Sequence, residues 1–231
     1  MKIPQPIEYG TLIKRYKRFL ADIKLDNGKY IIAHCPNSGS LKSCNIPGNK
    51  VVVSTNDNPA RKLRYTWEQI QVNDHWVGIN TQYPNKLVSE GIESGAIKEL
   101  RNYTNFKAEV KIGNGNRIDL MLDGPQGRCY IEVKNVTFVV NNRAMFPDAV
   151  TKRGQKHLIE LLKILQSRQR AVLFFVVQRE DGQSVTPADR IDPDFGKILR
   201  QVVLEGVEVI AYQASVTPEE ILITNRVPVI L

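Results

Sequence analysis

The first third of the chain contains many short strand-like segments and no stretch with the spacing of a helix. Such segments lie at 18–25, 30–34, 51–54 and 76–80, and the Asp26-Asn27-Gly28 sequence between the first two is typical of a hairpin turn. Several short strands joined by turns predict a small β-barrel, and we expect a five-stranded barrel of the OB type. Barrels of this type often bind single-stranded nucleic acid through a basic groove and aromatic side chains on which bases stack.

Positive charge is concentrated in the same part of the chain. The net charge is +8, and residues 1–83 contain 12 Lys and Arg against 6 Asp and Glu, whereas residues 84–231 contain 20 against 18. Since Lys and Arg displace counterions from phosphates, this bias indicates a nucleic-acid partner, which we expect to be DNA. Two clusters interleave basic with aromatic residues: Lys14, Arg15, Lys17 and Arg18 beside Tyr16 and Phe19, and Arg61, Lys62 and Arg64 beside Tyr65 and Trp67. The alternative for each cluster is a solvated strand face over a core aromatic.

Apolar runs and cysteines bear on the location of the protein. The longest apolar run, at 171–177, is much shorter than the roughly 20 residues of a membrane-spanning helix. Residues 1–18 alternate apolar with basic residues, unlike a secretory signal. The 3 cysteines form an odd, sparse set that suits reduced thiols better than disulfides. We therefore expect a cytoplasmic protein with no membrane partner.

The character of the sequence changes at Gln82-Tyr83-Pro84-Asn85, where we place a domain boundary. This division gives an OB-like domain at 1–83 and a second domain at 84–231. Residues 86–100 carry apolar side chains at helical spacing. The following segments predict an α/β domain with a mixed central sheet: strands at 108–112, 117–122 and 129–137, a helix at 149–166, a strand at 171–177, a helix at 193–205 and a strand at 207–212.

Two of these strands carry charged residues at alternating positions. Side chains alternate between the two faces of a strand, so 117–122 places Asp119 opposite to its apolar neighbours. In 130–134 the same rule places Glu132 and Lys134 together on one face. If the hairpin between the strands is symmetrical about its turn, Asp119 faces Glu132. The symmetrical register also places Leu122 across from Cys129.

Two opposed carboxylates repel each other, because directly opposite residues have Cβ atoms only about 4.5 to 5.5 Å apart. A cation between Asp119 and Glu132 would remove this repulsion. Mg²⁺ accepts one or two protein carboxylates and completes its shell with water and phosphate oxygens. We therefore expect a Mg²⁺ or Mn²⁺ site, in which Lys134 orients the attacking water or stabilises charge that develops on the phosphate.

The same residues resemble the PD-(D/E)xK nuclease signature. Ile118-Asp119 precedes Glu132-Val133-Lys134 at suitable spacing, although Ile118 stands where the signature has proline. Over its whole length the chain resembles the sugar fermentation stimulation protein A family, through five segments: Arg15-Tyr16-Lys17-Arg18-Phe19, His34-Cys35-Pro36-Asn37-Ser38-Gly39, Ile131-Glu132-Val133-Lys134, Phe146-Pro147-Asp148-Ala149 and Arg153-Gly154-Gln155-Lys156-His157-Leu158.

That resemblance implies an OB-fold joined to a restriction-endonuclease-like α/β domain, and non-specific DNA binding with a regulatory link to sugar (maltose) metabolism. It implies an active site formed by Asp119, Glu132 and Lys134, with Glu109 as a further metal ligand from the preceding strand. We expect a Mg²⁺-dependent nuclease acting on DNA. The alternative is a DNA-binding regulator that does not cleave. Neither reading involves a small-molecule substrate.

The start of the helix at 149–166 is a further candidate for nucleic-acid contact. Related nucleases place a DNA-contacting glutamine there, and Gln155 occupies a comparable position, whereas Ile159 stands where a tyrosine would complete the pattern. Arg153 and Lys156 are close enough in sequence to bind a phosphate at the helix N-terminus. A solvated helix face is the alternative for these side chains.

Overall fold

A computed structural model describes residues 1–112 and 116–231. The N-terminal part contains six strands: β1 (Ile7–Tyr16), β2 (Leu20–Leu25), β3 (Tyr30–His34), β4 (Lys50–Thr55), β5 (Tyr65–Val72) and β6 (His75–Gly78). Their order is β3-β2-β1-β4-β5-β6, and a parallel pairing of β3 with β5 closes the first five into a barrel. This closure confirms the predicted small OB-like barrel.

Residues that alternate inward along these strands fill the barrel. The inward side chains include Ala21, Ile23 and Leu25 of β2, and Trp67 of β5 is fully buried among them. Gly10 lets β1 approach β2 closely, because a Cβ at that position would lie 2.6 Å from the carbonyl oxygen of Lys24. The barrel therefore has its own apolar core.

The C-terminal part is an α/β unit with a mixed central sheet, as predicted. Its main sheet has the order β15-β14-β12-β9-β8-β7, in which β9, β12 and β14 are parallel and the outer pairs are antiparallel. The elements are α1 (Pro84–Glu93), a 3-10 helix (Lys98–Leu100), β7 (Asn105–Ile112), β8 (Asn116–Gly124), β9 (Gly127–Val136), β10 (Phe138–Val140), β11 (Arg143–Phe146), α2 (Lys152–Gln166), β12 (Arg170–Val177), β13 (Ser184–Pro187), α3 (Pro193–Leu204), β14 (Glu208–Val216) and β15 (Ile221–Arg226).

Several elements of the α/β unit differ from the sequence expectation. The helix predicted at 86–100 ends at Glu93 because Gly95 adopts a φ of +71°, and the chain resumes as the short 3-10 helix. A small sheet of β10, β11 and β13 was not predicted, since its strands have only three or four residues. The edge strand β15 was not predicted either.

Helices cover both faces of the main sheet. Leu87 and Val88 of α1 pack against one face, whereas α2 and α3 pack against the other. The first residues of the chain join the α1 side: Met1 and Ile3 are buried there, and the terminal amino group donates to the carbonyl oxygen of Ile221 over 2.7 Å. In the ranges 1–112 and 116–231, no helix is long and apolar enough to cross a membrane.

The barrel is fixed to the α/β unit by the loop that follows β3. The Leu41 backbone N–H donates to a carboxylate oxygen of Asp148 over 2.7 Å, and the Ser40 hydroxyl donates to the carbonyl oxygen of the same residue over 2.5 Å. Further along, the Ser43 hydroxyl donates to the carbonyl oxygen of Thr137 over 3.1 Å. These contacts hold one end of the barrel against the segments that follow β9 and β11.

Candidate metal and nucleic-acid site

Asp119, Glu132 and Lys134 lie in a cleft of about 590 Å³ between the barrel and the α/β unit. The barrel contributes Arg18 from the turn between β1 and β2, and the loop segment Asn37–Gly39. The opposite wall contains the acidic residues, the Met145–Thr151 segment and the first turns of α2, including Arg153 and His157. The structure thus brings the predicted motif residues to a surface that both parts of the chain form.

The predicted hairpin register is correct at its start. Leu122 pairs with Cys129, and the ladder continues to Leu120 with Ile131 and ends there, one pair before Asp119 and Glu132. On its other side, β8 pairs Leu120 with Ala108 and then Ile118 with Val110, which leaves Asp119 unpaired in this ladder as well. Asp119 therefore lies at a local break in the sheet.

The break changes where the neighbouring side chains point. Leu120 packs in the cluster on the α1 side, but Ile118 packs in the cluster on the α2 side, so the expected common face of these two residues is wrong. Glu109, across from Asp119, adopts a φ of +52°, in the left-handed region that non-glycine residues rarely adopt, although the register of β7 with β8 is the same on both sides of it. Residues held in such sparsely populated backbone conformations cluster at active sites and ligand sites.

Asp119 is held by two donors. One carboxylate oxygen accepts a hydrogen bond from the Asn85 side-chain amide over 3.1 Å, and the other accepts one from the Val133 backbone N–H over 2.8 Å. Burial raises the pKa of Asp119, and the negative charge of Glu132 raises it further. Two carboxylates that disfavour each other's charge are the arrangement that a bound cation stabilises.

Glu132 is 2% exposed, and its two oxygens differ. One oxygen accepts hydrogen bonds from the Lys134 ammonium and from Nδ1 of His157. The other is buried and has no hydrogen-bond partner. Although burial raises the pKa of Glu132, the hydrogen bond from His157 and the charge of Lys134 lower it below its ordinary value overall, so the residue is a carboxylate with one unused buried oxygen.

His157 is a residue of the site that the sequence reasoning did not select. Its Nε2 accepts from Nε of Arg153 over 3.3 Å, which leaves the proton on Nδ1, and Nδ1 then donates to Glu132. Arg153 and His157 are one helical turn apart on α2, so the i, i+4 spacing was the signal that could have paired them.

Glu109 lies at the exposed edge of the site and not among its buried residues. Its side chain is 57% exposed at the edge of the cleft and forms an ion pair with Arg117 at 3.9 Å. Among the residues that the structure describes, no three or more His, Cys, Asp or Glu side chains converge closely enough to hold a metal. The donor set nevertheless fits Mg²⁺, which takes one or two carboxylates and obtains its other ligands from water and phosphate. The unbonded oxygen of Glu132 is the observation that supports this fit.

Two of the residues expected to contact nucleic acid have structural partners instead. The Arg15 guanidinium donates to the carbonyl oxygens of Asn37 and Gly39 over 2.7 and 2.9 Å. It therefore stabilises the conformation of the loop that lines the cleft. Gln155 is 7% exposed and donates to Asp192 over 2.7 Å. Asp192 in turn caps α3, and the amide of Gln155 is committed to this contact.

The other predicted basic residues remain at the surface. Arg18 is at the tip of the β1–β2 turn and lines the cleft, as does Arg153 of α2. The remaining side chains lie on the surface. Three contact neighbours: Lys14 with Asp22, Arg61 with Thr66 and Arg64 with Asp57. Three more are exposed: Lys17, Lys62 and Lys156. The structure brings Arg18 and Arg153 to the cleft and leaves the others on surrounding surfaces.

Comparison with protein-family models divides the chain as the fold does. The model of the sugar fermentation stimulation protein N-terminal OB domain matches residues 13–79, and that of the RE domain matches residues 82–220. The chain belongs to the sugar fermentation stimulation protein (SfsA) family. SfsA homologues from Geobacter sulfurreducens and Geobacter metallireducens are each 56% identical to it, with 100% of this chain and 99% and 100% of theirs aligned. A Marinomonas homologue is 50% identical over 100% of this chain and 91% of its own length.

A solved SfsA structure has the same fold. The Pyrococcus furiosus protein, described in complex with Ca²⁺, matches with a TM-score of 0.90 at 24% identity and covers 100% of this chain and 98% of its own. A repair endonuclease from Pyrococcus abyssi matches with a TM-score of only 0.33 at 12% identity, which is too weak to support any conclusion. The likeness to the first structure establishes the shared two-part fold.

Proposed function

We propose that this SfsA protein is a Mg²⁺- or Mn²⁺-dependent nuclease that hydrolyses phosphodiester bonds in DNA. The main support is the pair Asp119 and Glu132 in an interdomain cleft, with an unbonded carboxylate oxygen on Glu132 and the Lys134 ammonium beside it. The Ca²⁺ complex of the P. furiosus relative adds support, because Ca²⁺ and Mg²⁺ are both hard cations that prefer oxygen ligands.

The proposed roles follow from the contacts. Asp119 and Glu132 hold the metal, with Glu109 as a further ligand from the edge of the cleft. A metal bound here would lower the pKa of a bound water and neutralise phosphate charge. The Asn85 amide and the Val133 N–H orient the Asp119 carboxylate, and Lys134 donates both to Glu132 and to a phosphate oxygen as negative charge develops there.

The nucleic acid is proposed to bind the basic barrel domain at 1–83 and to extend from there through the cleft to the nuclease-like domain at 84–231. Arg18 and Arg153 are proposed as phosphate contacts at the cleft itself, since both side chains line it. The surrounding basic side chains are proposed to contribute to non-specific attraction: Lys14, Lys17, Arg61, Lys62, Arg64 and Lys156. We also propose a cytoplasmic location, in line with three free and buried cysteines.

The decisive experiment compares motif variants with a matched control. Wild-type protein is expected to nick plasmid or degrade oligonucleotides with Mg²⁺ or Mn²⁺ but not with EDTA. Asp119→Asn and Lys134→Met are expected to lower the cleavage rate by about 100-fold or more while DNA binding remains. Asp123→Asn, on the same strand but outside the cleft lining, should cleave at the wild-type rate. Equal cleavage by wild type and both motif variants would refute the proposal.

A second candidate is a DNA-binding regulator that does not cleave and is linked to sugar (maltose) metabolism. It is favoured by the name that the family's members carry, and by the described residues, among which no three or more His, Cys, Asp or Glu side chains converge to hold a metal. This candidate predicts DNA affinity that falls steeply with salt concentration, and no cleavage with Mg²⁺, Mn²⁺ or Ca²⁺. The metal series of the cleavage assay distinguishes the two functions.

A further inference from the structure

The outer face of the barrel carries large apolar side chains that are exposed to solvent. On β3, alternate residues point outward, and Tyr30 and Ile32 are 68% and 47% exposed. Phe19, in the turn just before β2, is 45% exposed. Exposed apolar side chains that lie next to one another commonly mark a binding surface, whereas isolated ones need no explanation.

Register places basic residues beside these side chains. Lys24 of β2 pairs with Tyr30, and its ammonium lies 5.7 Å from the centre of the tyrosine ring. Ile32 pairs with Asp22, whose carboxylate lies 3.5 Å from the ammonium of Lys14 on β1. The carboxylate beside Ile32 is therefore paired with a basic neighbour. We call the surface formed by Phe19, Lys24, Tyr30, Ile32 and His34 the barrel stripe.

The barrel stripe leads to the cleft. β3 continues from His34 into the Asn37–Gly39 segment of the cleft wall, and the Cys35 N–H donates to the carbonyl oxygen of Phe19 over 2.8 Å, which places Phe19 beside the end of β3. Arg18 precedes Phe19 and lines the cleft. At about 3.3 Å per extended residue, the path from Tyr30 to the cleft loop is roughly 20 Å. A strand of about 4 or more nucleotides, the usual site size of an OB barrel, can span this length.

The carboxylates lie deep in the cleft. Glu132 is 2% exposed, and the Lys134 and His157 side chains are each 13% exposed. The cleft volume of about 590 Å³ is in the range of sites that enclose one drug-sized molecule, about 300 to 1,000 Å³. Such a space is large enough for a nucleotide or two of a strand.

We infer that the nucleic acid served by this site is single-stranded, with one base stacked on Tyr30 and the next packed against Ile32 of the barrel stripe, and its backbone entering the cleft past Arg18. The inference rests on the proposed function for the location of the reacting phosphate. Stacking on side chains requires unpaired bases, because both faces of a base in a duplex are already covered by its neighbours. The basic residues beside the stripe are complementary to the phosphates of such a strand.

The test measures binding by fluorescence anisotropy in EDTA, so that cleavage does not contribute. The probes are a labelled 20-nucleotide DNA, the RNA of the same sequence, and the DNA duplex. Wild type is expected to bind the DNA or the RNA single strand at least about 10-fold more tightly than the duplex. Tyr30→Ala should weaken single-strand binding by about 5- to 150-fold, the equivalent of one lost stacking contact, because each stacked base contributes about 1 to 3 kcal/mol.

Two control variants test whether the aromatic ring, and its position on β3, are what the binding requires. Tyr30→Phe keeps an aromatic ring and should bind within about twofold of wild type. Phe106→Ala removes a ring that is 38% exposed on the edge strand β7 and should also leave binding unchanged. Because Tyr30 is an exposed side chain, its replacement by alanine leaves the barrel core intact, which circular dichroism checks.

The outcomes separate this inference from the nuclease proposal. Equal affinity for duplex and single strands, or unchanged single-strand binding by Tyr30→Ala, overturns the inference even if the protein cleaves DNA. Absence of nucleic-acid binding at low salt also overturns it, and would assign the stripe to a protein partner. Single-strand binding that depends on Tyr30, without cleavage under any metal, supports the inference and refutes the nuclease proposal.

Discussion

Replacing Arg179 by methionine tests how strongly the barrel and the α/β unit are joined. Arg179 is 1% exposed, and its guanidinium forms two hydrogen bonds with the Asp181 carboxylate, at 2.5 and 2.6 Å. The same group donates to the carbonyl oxygen of Thr137 over 2.8 Å and to the Ser43 hydroxyl over 3.1 Å. One side chain therefore connects the barrel loop to the end of β9.

The expected loss of stability in Arg179→Met depends on the groups that lose their hydrogen-bond partner. Removal of one member of a buried ion pair costs about 3 to 5 kcal/mol, because the remaining charge is left without a partner. Asp181 is 13% exposed and regains some solvent, so we expect the lower end, about 3 kcal/mol. The Thr137 carbonyl keeps its hydrogen bond from Ser43. Since total stabilities are about 5 to 15 kcal/mol, this loss is easily measured.

Urea unfolding followed by two probes is the assay. Trp67 is buried in the barrel core, whereas Trp76 of β6 packs against the core on the α1 side. The measurement is therefore made in a Trp76→Phe background, in which fluorescence reports on the barrel and far-UV circular dichroism on the whole chain. With Arg179 in place the two transitions should coincide. In Arg179→Met they should move to lower urea and separate, since the contact between the two parts is weakened.

The matched control is Arg200→Met. Arg200 forms the same two-bond contact with Asp189, at 2.7 and 2.9 Å, but the two side chains are 39% and 47% exposed. Exposed pairs contribute about 0 to 1 kcal/mol, so this variant should unfold nearly as wild type does. If Arg179→Met costs no more than Arg200→Met, burial does not determine the strength of the contact and the reasoning is wrong.

Three further predictions concern individual side chains. His157→Ala should weaken Mn²⁺ binding, measured by calorimetry, by about 10- to 100-fold. His157→Asn keeps a donor to Glu132 and should retain most of the Mn²⁺ affinity. Equal loss of affinity in both variants would exclude a positioning role for the donor. Burial raises the pKa of the thiols of Cys35, Cys44 and Cys129, the last to about 12, so a thiol reagent at pH 8 should react only after unfolding. Gly10→Ala should destabilise the barrel by about 1 to 3 kcal/mol, seen as a lower urea midpoint of fluorescence; an unchanged midpoint would show that β1 and β2 can separate without cost.

Local signals in the sequence were sufficient for the hairpins but not for the closure of the barrel. The Asn27-Gly28 turn and the alternation of β2 and β3 predicted their pairing, because a short turn fixes register. The parallel contact of β3 with β5 joins residues more than 30 positions apart and leaves no turn signal. In the second domain, the pairing of Leu122 with Cys129 was predicted from the symmetry of the hairpin about its turn.

Side-chain identity alone could not separate binding residues from structural ones. Arg15 has the same charge as Arg18, yet it is bound to carbonyl oxygens of the cleft loop, whereas Arg18 lines the cleft. The difference depends on where the loop after β3 folds back, which no local pattern reports. By contrast, the outward position of Tyr30, Ile32 and His34 was readable from period-two alternation.

The break in the sheet at Asp119 explains why the two carboxylates belong to one site although opposite faces of the sheet hold them. Asn85 of α1 binds Asp119 from one side, and His157 of α2 binds Glu132 from the other. In an unbroken ladder, two opposed carboxylates would project to the same face, and only one of the two helices could reach them. The interrupted pairing instead lets each carboxylate be fixed by a different helix at the cleft, so the acidic motif depends on the packing of both α1 and α2 and not on the hairpin alone.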